Sequence, residues 1–194
     1  MRIFAVLAHF NPEALDSYLF NKLVEHYKAL GHELDVLDLY HHAHEIPFYY
    51  ENRDRKNKFS FLEENTFYRH NRERLLAADR LVIVYPIYWY SVPGILKCWM
   101  DLITNFFWHY TPGNLRAQGL HHIPKAFIVN TSSAPRFILR FLFNNTASAQ
   151  VRHTLQWMGI PSVYFYEIGS VYSLTPAKIE HHVRRMLIKS NALL

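Results

Sequence analysis

Residues 81–103 read LVIVYPIYWYSVPGILKCWMDLI, and this stretch carries the strongest structural signal in the chain. Leu81–Val84 is entirely apolar, as is typical of a strand that is buried on both faces. An aromatic turn, Tyr85–Tyr90, follows the strand. A helical pattern follows the turn, with Ser91 as a candidate cap and Pro93 in the first helical turn. This arrangement is typical of an α/β protein that binds a planar cofactor at the carboxyl edge of its sheet.

The same alternation of strand and helix runs along the whole chain. Further apolar runs predict strands at Ile3–Leu7, Leu34–Leu37, Ala126–Val129 and Val163–Ile168. Helical patterns cover residues 15–30, 61–78, 95–106 and 137–158, the last with a break near Asn144–Asn145, and a final helix starts with Thr175 as cap and Pro176. Strands that alternate with helices in this way predict a parallel, doubly wound sheet. We expect one domain over residues 1–194.

Composition narrows the class of protein. Half of the residues are hydrophobic and 19% are charged, which indicates a globular chain. The net charge of +5 suits anionic ligands such as phosphates, but the basic residues are scattered, so we expect no nucleic-acid partner. The only cysteine, Cys98, excludes an intrachain disulfide, and a cytoplasmic location is expected. We expect no signal peptide, because Met1–Arg2 leads directly into Ile3–Leu7 with no charged leader region or cleavage site. We expect no membrane span, because prolines and a glycine interrupt Leu81–Leu96.

Three loops follow the first, third and fourth predicted strands, at His9–Pro12, Tyr85–Ser91 and Asn130–Ser133. In a doubly wound sheet, such loops meet at the carboxyl edge beside the switch point of the strand order. The first loop leads into a helix N-terminus, where free amides favour a phosphate, and Ser17 can add a hydroxyl. His9 can donate a hydrogen bond to a phosphate oxygen or carry a proton; alternatively, its ring is bonded only to the backbone of its own loop.

Several common motifs are absent from the sequence. The chain has six glycines, and none lies in the first loop, so neither the GxGxxG dinucleotide motif nor the P-loop is present. GxSxG is also missing, which argues against an α/β-hydrolase. The histidine-rich segment His41–Glu45 lacks partners at a defined metal-ligand spacing. We therefore predict a solvated loop there and no metal site.

The chain resembles the flavodoxin-like NAD(P)H:quinone oxidoreductases. This group includes the mammalian quinone reductases, bacterial modulators of drug activity and the ancillary subunits of glutathione-gated potassium efflux systems. The resemblance covers roughly residues 2–131 and rests on Ala8–Pro12 with Ser17, Asp38–Tyr40, Ala78–Val82 and, above all, Tyr85–Lys97. It implies a three-layer sandwich whose five-stranded parallel sheet has the order 2-1-3-4-5. It also implies a noncovalent flavin (FAD, with FMN as the alternative), NAD(P)H as co-substrate, ping-pong hydride transfer through flavin N5, and a homodimer with a quinone-like acceptor at its interface.

The resemblance also implies roles for residues of the three loops. His9 and Ser17 would meet the flavin phosphates, the backbone from Pro86 to Tyr90 would line the isoalloxazine ring, and Thr131 would lie near its pyrimidine edge. Trp89 and Tyr90 would be the catalytic residues, as walls of the acceptor pocket. The implied cofactor-binding set is His9, Asn11, Ser17, Pro86, Ile87, Tyr88, Trp89, Tyr90, Asn130, Thr131 and Ser132.

The loop after the fourth strand departs from the family pattern. Related chains often have a glycine-rich turn there, followed by a tyrosine and a histidine, whereas Asn130–Arg136 contains none of these residue types. Two other functions therefore stay open. One is a regulatory flavoprotein that binds a membrane transporter or another partner. The other is a flavin-free module for an anionic ligand.

Overall fold

The computed structural model describes residues 1–46, 65–109 and 118–194. The strands are β1 Arg2–Leu7, β2 Glu33–Asp38, β3 Arg80–Pro86, β4 Trp108–His109, β5 Gln118–Gly119, β6 Lys125–Thr131 and β7 Ser162–Ile168. The helices are α1 Leu15–Ala29, α2 Thr66–Leu76, α3 Gly94–Phe107, α4 Arg136–Phe141, α5 Thr146–Trp157 and α6 Pro176–Ser190. Short 3-10 turns occupy Ala43–Glu45, Val171–Ser173 and Asn191–Leu193.

The main sheet has five strands in the order β2-β1-β3-β6-β7, and each neighbouring pair is parallel. The antiparallel pair β4–β5 forms a separate two-stranded ribbon, so β6 and β7 are the fourth and fifth strands of the main sheet. The predicted order 2-1-3-4-5 is therefore confirmed. The order reverses direction between β1 and β3. In an open parallel sheet, such a switch point opens a crevice at the carboxyl ends of the strands.

Two apolar layers cover the sheet, one on each face. Alternate residues of β1 point to opposite layers, so Phe4 packs with Trp99 of α3, whereas Ala5 belongs to the layer that contains Leu23 of α1. Trp99 and Phe4 are fully buried, and their ring centroids lie 6.3 Å apart. The three-layer sandwich is therefore confirmed, with α2, α3 and α5 on one face and α1 and α6 on the other.

Most predicted element boundaries agree with the structure. The break at Asn144–Asn145 is confirmed, because both residues have positive φ (49° and 50°), which a right-handed helix cannot include. The Thr175 cap is also confirmed, since its Oγ1 accepts a hydrogen bond from the Lys178 amide. Of the predicted helix over residues 61–78, the first four residues lie outside the described part of the chain, and α2 covers the rest up to Leu76.

The predicted Ser91 cap is wrong. Helix α3 begins at Gly94, and the first helical carbonyl is that of Pro93, which accepts from the Lys97 amide at 3.0 Å. Ser91 lies too far upstream to meet the free amides of the first turn. Its Oγ donates instead to Oε1 of Gln150 in α5, at 3.2 Å, so the hydroxyl joins the loop after β3 to α5 and caps no helix.

Candidate functional site

The structure brings the three predicted loops together at the carboxyl edge of the sheet. The Ile87 amide donates to the Thr131 carbonyl at 2.7 Å, which joins the second loop to the third. The Thr131 hydroxyl donates to Oδ2 of Asp16 at 2.8 Å, which joins the third loop to the first turn of α1. The Ala8 amide bonds the Val84 carbonyl at 2.9 Å, so the first and second loops leave the sheet side by side. The predicted meeting of the loops is thus observed.

The first loop is held in shape by its own polar groups. The Asn11 amide nitrogen lies 3.0 Å from Nδ1 of His9, and the Asn11 carbonyl oxygen lies 3.2 Å from the same ring nitrogen. In the tautomer that accepts from the Asn11 amide, the ring proton is on Nε2. Oδ1 of Asn11 accepts from the Glu13 amide at 2.9 Å, and the Ser17 hydroxyl donates to the Asn11 carbonyl at 2.8 Å. His9 Nε2 therefore stays available as a donor, whereas the Ser17 proton already has an acceptor.

The second loop contains a tight, strained turn at Tyr88–Ser91. Tyr88 and Ser91 exchange two backbone hydrogen bonds, of 3.0 and 2.9 Å. Trp89 and Tyr90 between them both have positive φ (47° and 61°), as in a type I′ turn. Such turns favour Gly, Asn and Asp, and bulky aromatic residues are outliers there. Trp89 is 93% exposed, so the strain presents a flat side chain to solvent rather than burying it.

The start of α5 and the residues before it support this turn. The ring of Tyr90 stacks on that of Phe143, with centroids 3.7 Å apart and planes inclined by 19°. The Thr146 hydroxyl donates to the Tyr90 carbonyl at 2.7 Å. The sequence did not single out Phe143 and Thr146, because no pattern around the start of α5 indicates contact with an aromatic loop more than fifty positions earlier in the chain. Ile87, Tyr90, Leu139, Phe143, Asn145, Thr146 and Ala147 line a shallow pocket there.

The third loop is positioned by a glycine that lies outside it. The Ser132 amide donates to the Ile168 carbonyl at 2.8 Å, and the Ser132 hydroxyl donates to the Ala134 carbonyl at 2.7 Å. A Cβ atom on Gly169 would lie 2.6 Å from the Arg136 amide nitrogen and 2.8 Å from the Ala134 carbonyl oxygen. The loop has no glycine, and the close approach of its backbone is made possible by Gly169 after β7.

Asn130 is buried under the same edge and belongs to a polar network. Its Nδ2 donates to Oγ of Ser148 at 2.9 Å, and Ser148 donates to Oε1 of Glu167 at 2.5 Å. Asn145 also donates to Glu167 Oε1 at 2.7 Å, and Arg136 reaches Oε2 at 3.3 Å. Burial opposes the charge of Glu167, but the hydrogen bonds from Ser148 and Asn145 and the Arg136 charge outweigh it, so the pKa of Glu167 is lowered.

Asp16 is the most unusual charged group at the site. Its carboxylate is almost completely buried, and Oδ1 has no hydrogen-bond partner among the described residues. Burial raises the pKa of Asp16 above its ordinary value, although the Thr131 hydroxyl and the charge of the nearby His9 oppose this shift. The side chain turns toward Thr131, which reduces the conflict between its charge and an anion at the start of α1.

We expect Asp16→Asn to make the folded protein more stable at neutral pH, by about 1–2 kcal/mol, because the amide carries no buried charge. Because folding raises the pKa of Asp16, the stability of the wild type falls as the pH rises from the pKa of Asp16 in the unfolded chain toward its pKa in the folded protein. The gain should therefore be present at pH 7 and absent near pH 3, in urea unfolding at each pH. Asp101→Asn, at an exposed carboxylate paired with Lys97, is the matched control and should change stability little. A less stable Asp16→Asn protein at pH 7 would show that the charge is compensated.

The histidine-rich loop shows no metal geometry. His42 Nδ1 lies 2.6 Å from Oε1 of Glu45, and His44 is largely exposed. Within the described parts of the chain, no three His, Cys, Asp or Glu side chains come together as a metal site would require. Over the same residues, we find no helix with both the length and the apolar character needed to cross a bilayer.

The parallel sheet, the switch-point crevice and the three converging loops define a doubly wound α/β protein, and the carboxyl edge of such a sheet is where this class of fold binds ligands. The Flavodoxin_2 family model, which describes a flavodoxin-like fold, matches residues 1–189, and the chain belongs to this family. The resemblance predicted from the sequence is therefore confirmed at the level of the family.

Similar proteins include several named oxidoreductases. The protein named "uncharacterized NAD(P)H oxidoreductase YdeQ" from Bacillus subtilis (strain 168) is 44% identical over 48 residues, which are 25% of this chain and about a quarter (24%) of that protein. The NAD(P)H:quinone oxidoreductase from Methanothermobacter marburgensis has a TM-score of 0.76 at 18% identity, covering 100% of this chain and 96% of that one. An FMN-dependent NADH-azoreductase from Bacillus anthracis str. Ames Ancestor, solved with FMN, has a TM-score of 0.75 at 15% identity, covering 100% and 99%. These similarities to solved structures support the same fold.

Proposed function

We propose that the protein is a flavin-dependent oxidoreductase that takes a hydride from NAD(P)H and passes it to a quinone-like acceptor. The observation that carries this proposal is the strained Tyr88–Ser91 turn, which holds two aromatic side chains at positive φ beside the switch point of the sheet. Backbone strain of this kind persists where surrounding structure supports it, and it concentrates at functional sites. The named oxidoreductases among the similar proteins support the same reading.

The residues at the three loops fit a flavin. At the phosphate end, the first amides of α1 and Nε2 of His9 can donate to an anion, and Ser17 can accept or donate after a small rotation. At the ring end, the backbone of Pro86–Tyr90 and the Thr131 hydroxyl lie next to each other. Asn11 shapes the first loop, and Asn130 and Ser132 fix the backbone of the third. These are the roles we propose for the predicted cofactor-binding residues.

The bound flavin would supply the hydride chemistry through its N5 atom. The residues of the chain orient and shield the reactants. We propose that Trp89 and Tyr90 form the wall on which a flat acceptor stacks, with Phe143 and Thr146 fixing the position of Tyr90. Free backbone amides of the turn can stabilise negative charge on ring carbonyl oxygens. In this scheme no side chain has to act as an acid or a base.

The proposal favours FMN over FAD. The resemblance in the sequence implies FAD, whereas the azoreductase with the same fold is named for FMN and was solved with it. One phosphate at the start of α1 is sufficient for FMN, and we assign no described residue to an adenine. A homodimer that completes the acceptor pocket is part of the proposal, and its mass can be measured by light scattering.

The visible spectrum of the purified protein tests the proposal, before and after incubation with FMN or FAD and dialysis. Retained bands near ~370 and ~450 nm that bleach with NADH or NADPH would support a flavin-dependent hydride step. A protein that retains neither flavin would overturn the proposal. It would favour the flavin-free anion-binding module, which the glycine-free loop Asn130–Arg136 leaves open.

We expect Trp89→Ala to weaken acceptor binding far more than flavin binding. The exposed indole offers a stacking face to an acceptor, so its loss should raise the KM for a quinone about tenfold, with a flavin Kd within about threefold of wild type. Steady-state kinetics and a flavin titration measure the two effects. Trp157→Ala, at another exposed tryptophan on α5, is the matched control and should leave both unchanged. Equal losses in acceptor and flavin binding for Trp89→Ala would contradict the pocket assignment.

A further inference from the structure

Asp16 is an acidic side chain at the place where the proposed function puts a second negative charge. It is the second residue of α1 and the acidic residue of the first turn of that helix. The same turn supplies the amides that would hold the flavin phosphate, and the His9 ring is close enough for its charge to act on Asp16. A helix N-terminus attracts one anion, but two anions held there repel each other. The site therefore has to reduce one of the two charges.

The Asp16 carboxylate is poorly compensated where it lies. The residue is 3% exposed, so water does not screen its charge. Its Oδ2 accepts one hydrogen bond, from the Thr131 hydroxyl at 2.8 Å, and its Oδ1 has no hydrogen-bond partner within the described parts of the chain. Burial raises the pKa of Asp16 by more than the Thr131 hydrogen bond and the His9 charge lower it. A carboxylate in this state takes up a proton readily when another negative charge arrives.

The titratable and polar groups that face Asp16 come from all three loops of the site. His9 belongs to the first loop and Thr131 to the third. Tyr88 belongs to the second loop, and the charge of Asp16 adds to burial and to Tyr40 in raising the pKa of Tyr88, which therefore stays neutral at physiological pH. Of these facing groups, only His9 can carry a positive charge, and the proposed function assigns it to the phosphate. Asp16 is then left without a cation of its own.

We propose that Asp16 takes up a proton from solvent when the flavin phosphate binds at the start of α1, so that the site binds FMN and a proton together. This inference rests on the proposed function, because it requires a flavin phosphate at that helix. Asp16 then sets how strongly the site prefers FMN to riboflavin, which lacks the phosphate. Asp16 needs no direct contact with the flavin, because charges repel over several ångströms in a site that excludes water.

The direction of the pH dependence follows from the charge of Asp16. A bound phosphate raises the pKa of Asp16 further, so this pKa is higher in the complex than in the free protein. FMN affinity should therefore fall, by about tenfold, as the pH rises from the pKa of Asp16 in the free protein to its pKa in the complex. Riboflavin affinity should lack this component, because no phosphate charge acts on Asp16.

Flavin titrations of the flavin-free protein, followed by flavin fluorescence between about pH 5.5 and pH 8, test the proposal. Asp16→Asn keeps the side-chain shape and an acceptor for the Thr131 hydroxyl. It should bind FMN about tenfold more tightly than wild type at pH 8, with a smaller gain at lower pH, and should change riboflavin affinity less than about twofold. Glu13→Gln, at an exposed carboxylate of the first loop, is the matched control and should change neither affinity appreciably, because solvent screens its charge.

Calorimetry counts the proton directly. FMN is titrated at one pH in two buffers with different heats of ionisation, and the difference in heat gives the number of protons taken up on binding. Wild type should take up more protons than Asp16→Asn, by up to about one. Any protons exchanged by the phosphate or by His9 are common to both proteins, so the difference belongs to Asp16.

Three results would contradict the proposal while the proposed function stands. The first is the same pH dependence of FMN binding, with the same proton uptake, in wild type and Asp16→Asn. The second is weaker FMN binding by Asp16→Asn at every pH, which would make the carboxylate a support of the site. The third is an equal gain for FMN and riboflavin, which would assign the effect to the shape of the loop. A wild type that binds neither flavin would instead overturn the proposed function, and this inference with it.

Discussion

Replacing Gly169 with alanine should lower the free energy of unfolding by about 2–3 kcal/mol, the largest single effect we expect from so small a change. The added Cβ would lie 2.6 Å from the Arg136 amide nitrogen and 2.8 Å from the Ala134 carbonyl oxygen. Both neighbours are backbone atoms, so neither can move aside as a flexible side chain could. The third loop would have to shift, and we expect weaker flavin binding as well as lower stability in urea titrations.

Gly94→Ala is the control for this prediction. Gly94 is the first residue of α3, and a Cβ there would meet nothing within 4 Å. Alanine is the better helix former, so Gly94→Ala should leave stability unchanged or raise it by up to about 1 kcal/mol. If Gly169→Ala unfolds at the same urea concentration as wild type, the third loop is free to move. The close approach at Gly169 would then not position it.

Replacing Glu167 with glutamine should cost about 2 kcal/mol at neutral pH, because Glu167 receives three hydrogen bonds from Asn145, Ser148 and Arg136. Glutamine keeps the shape of the side chain, but it loses the charge and presents an amide group toward one of these donors. The measured quantity is the difference in free energy of unfolding between wild type and variant.

The pH dependence of this difference follows from the lowered pKa of Glu167. A carboxyl group whose pKa is lower in the folded state stabilises the protein above its unfolded pKa, and this contribution is lost as the pH falls through the folded value. The deficit of Glu167→Gln should therefore be largest above about pH 5 and should shrink as the pH falls below that. Glu180→Gln, at an exposed carboxylate that accepts from Tyr18, should show neither effect. A deficit that does not shrink at all between pH 7 and pH 3 would assign the loss to the amide group that faces a donor rather than to the missing charge.

The fold was predictable because its signals are local and repeated. Each central strand is an uninterrupted apolar run, and the helices show apolar stripes at the helical period, so the alternation of elements determines the class of sheet. The helix break at Asn144–Asn145 could be predicted because asparagine tolerates positive φ better than most residues do. The Ser91 cap failed because a hydroxyl near a helix start can also bond a side chain that is distant in sequence, here Gln150.

Only the three loops of the candidate site were predictable from the sequence, and the residues that support them were not. The residues of the three loops follow strands directly, so topology alone brings them together. The residues that support the loops come from the start of α5, from the segment just before it and from the position just after β7. No periodicity links them to the site. Phe143 reaches Tyr90 through ring stacking, and Gly169 reaches the third loop through a missing Cβ. Both contacts depend on three-dimensional packing, which a single sequence does not encode in any local pattern.

Under the proposed function, the strain in the Tyr88–Ser91 turn means that the most stable version of this sequence and the most active one are different. Trp89 and Tyr90 sit at positive φ, where glycine or asparagine would be relaxed, at a cost of about 1–3 kcal/mol for each strained residue. A library of variants selected only for resistance to heat should therefore replace both aromatics with glycine or asparagine. The same library selected for quinone turnover should retain them, and the divergence between the two selections would measure what the turn contributes to function.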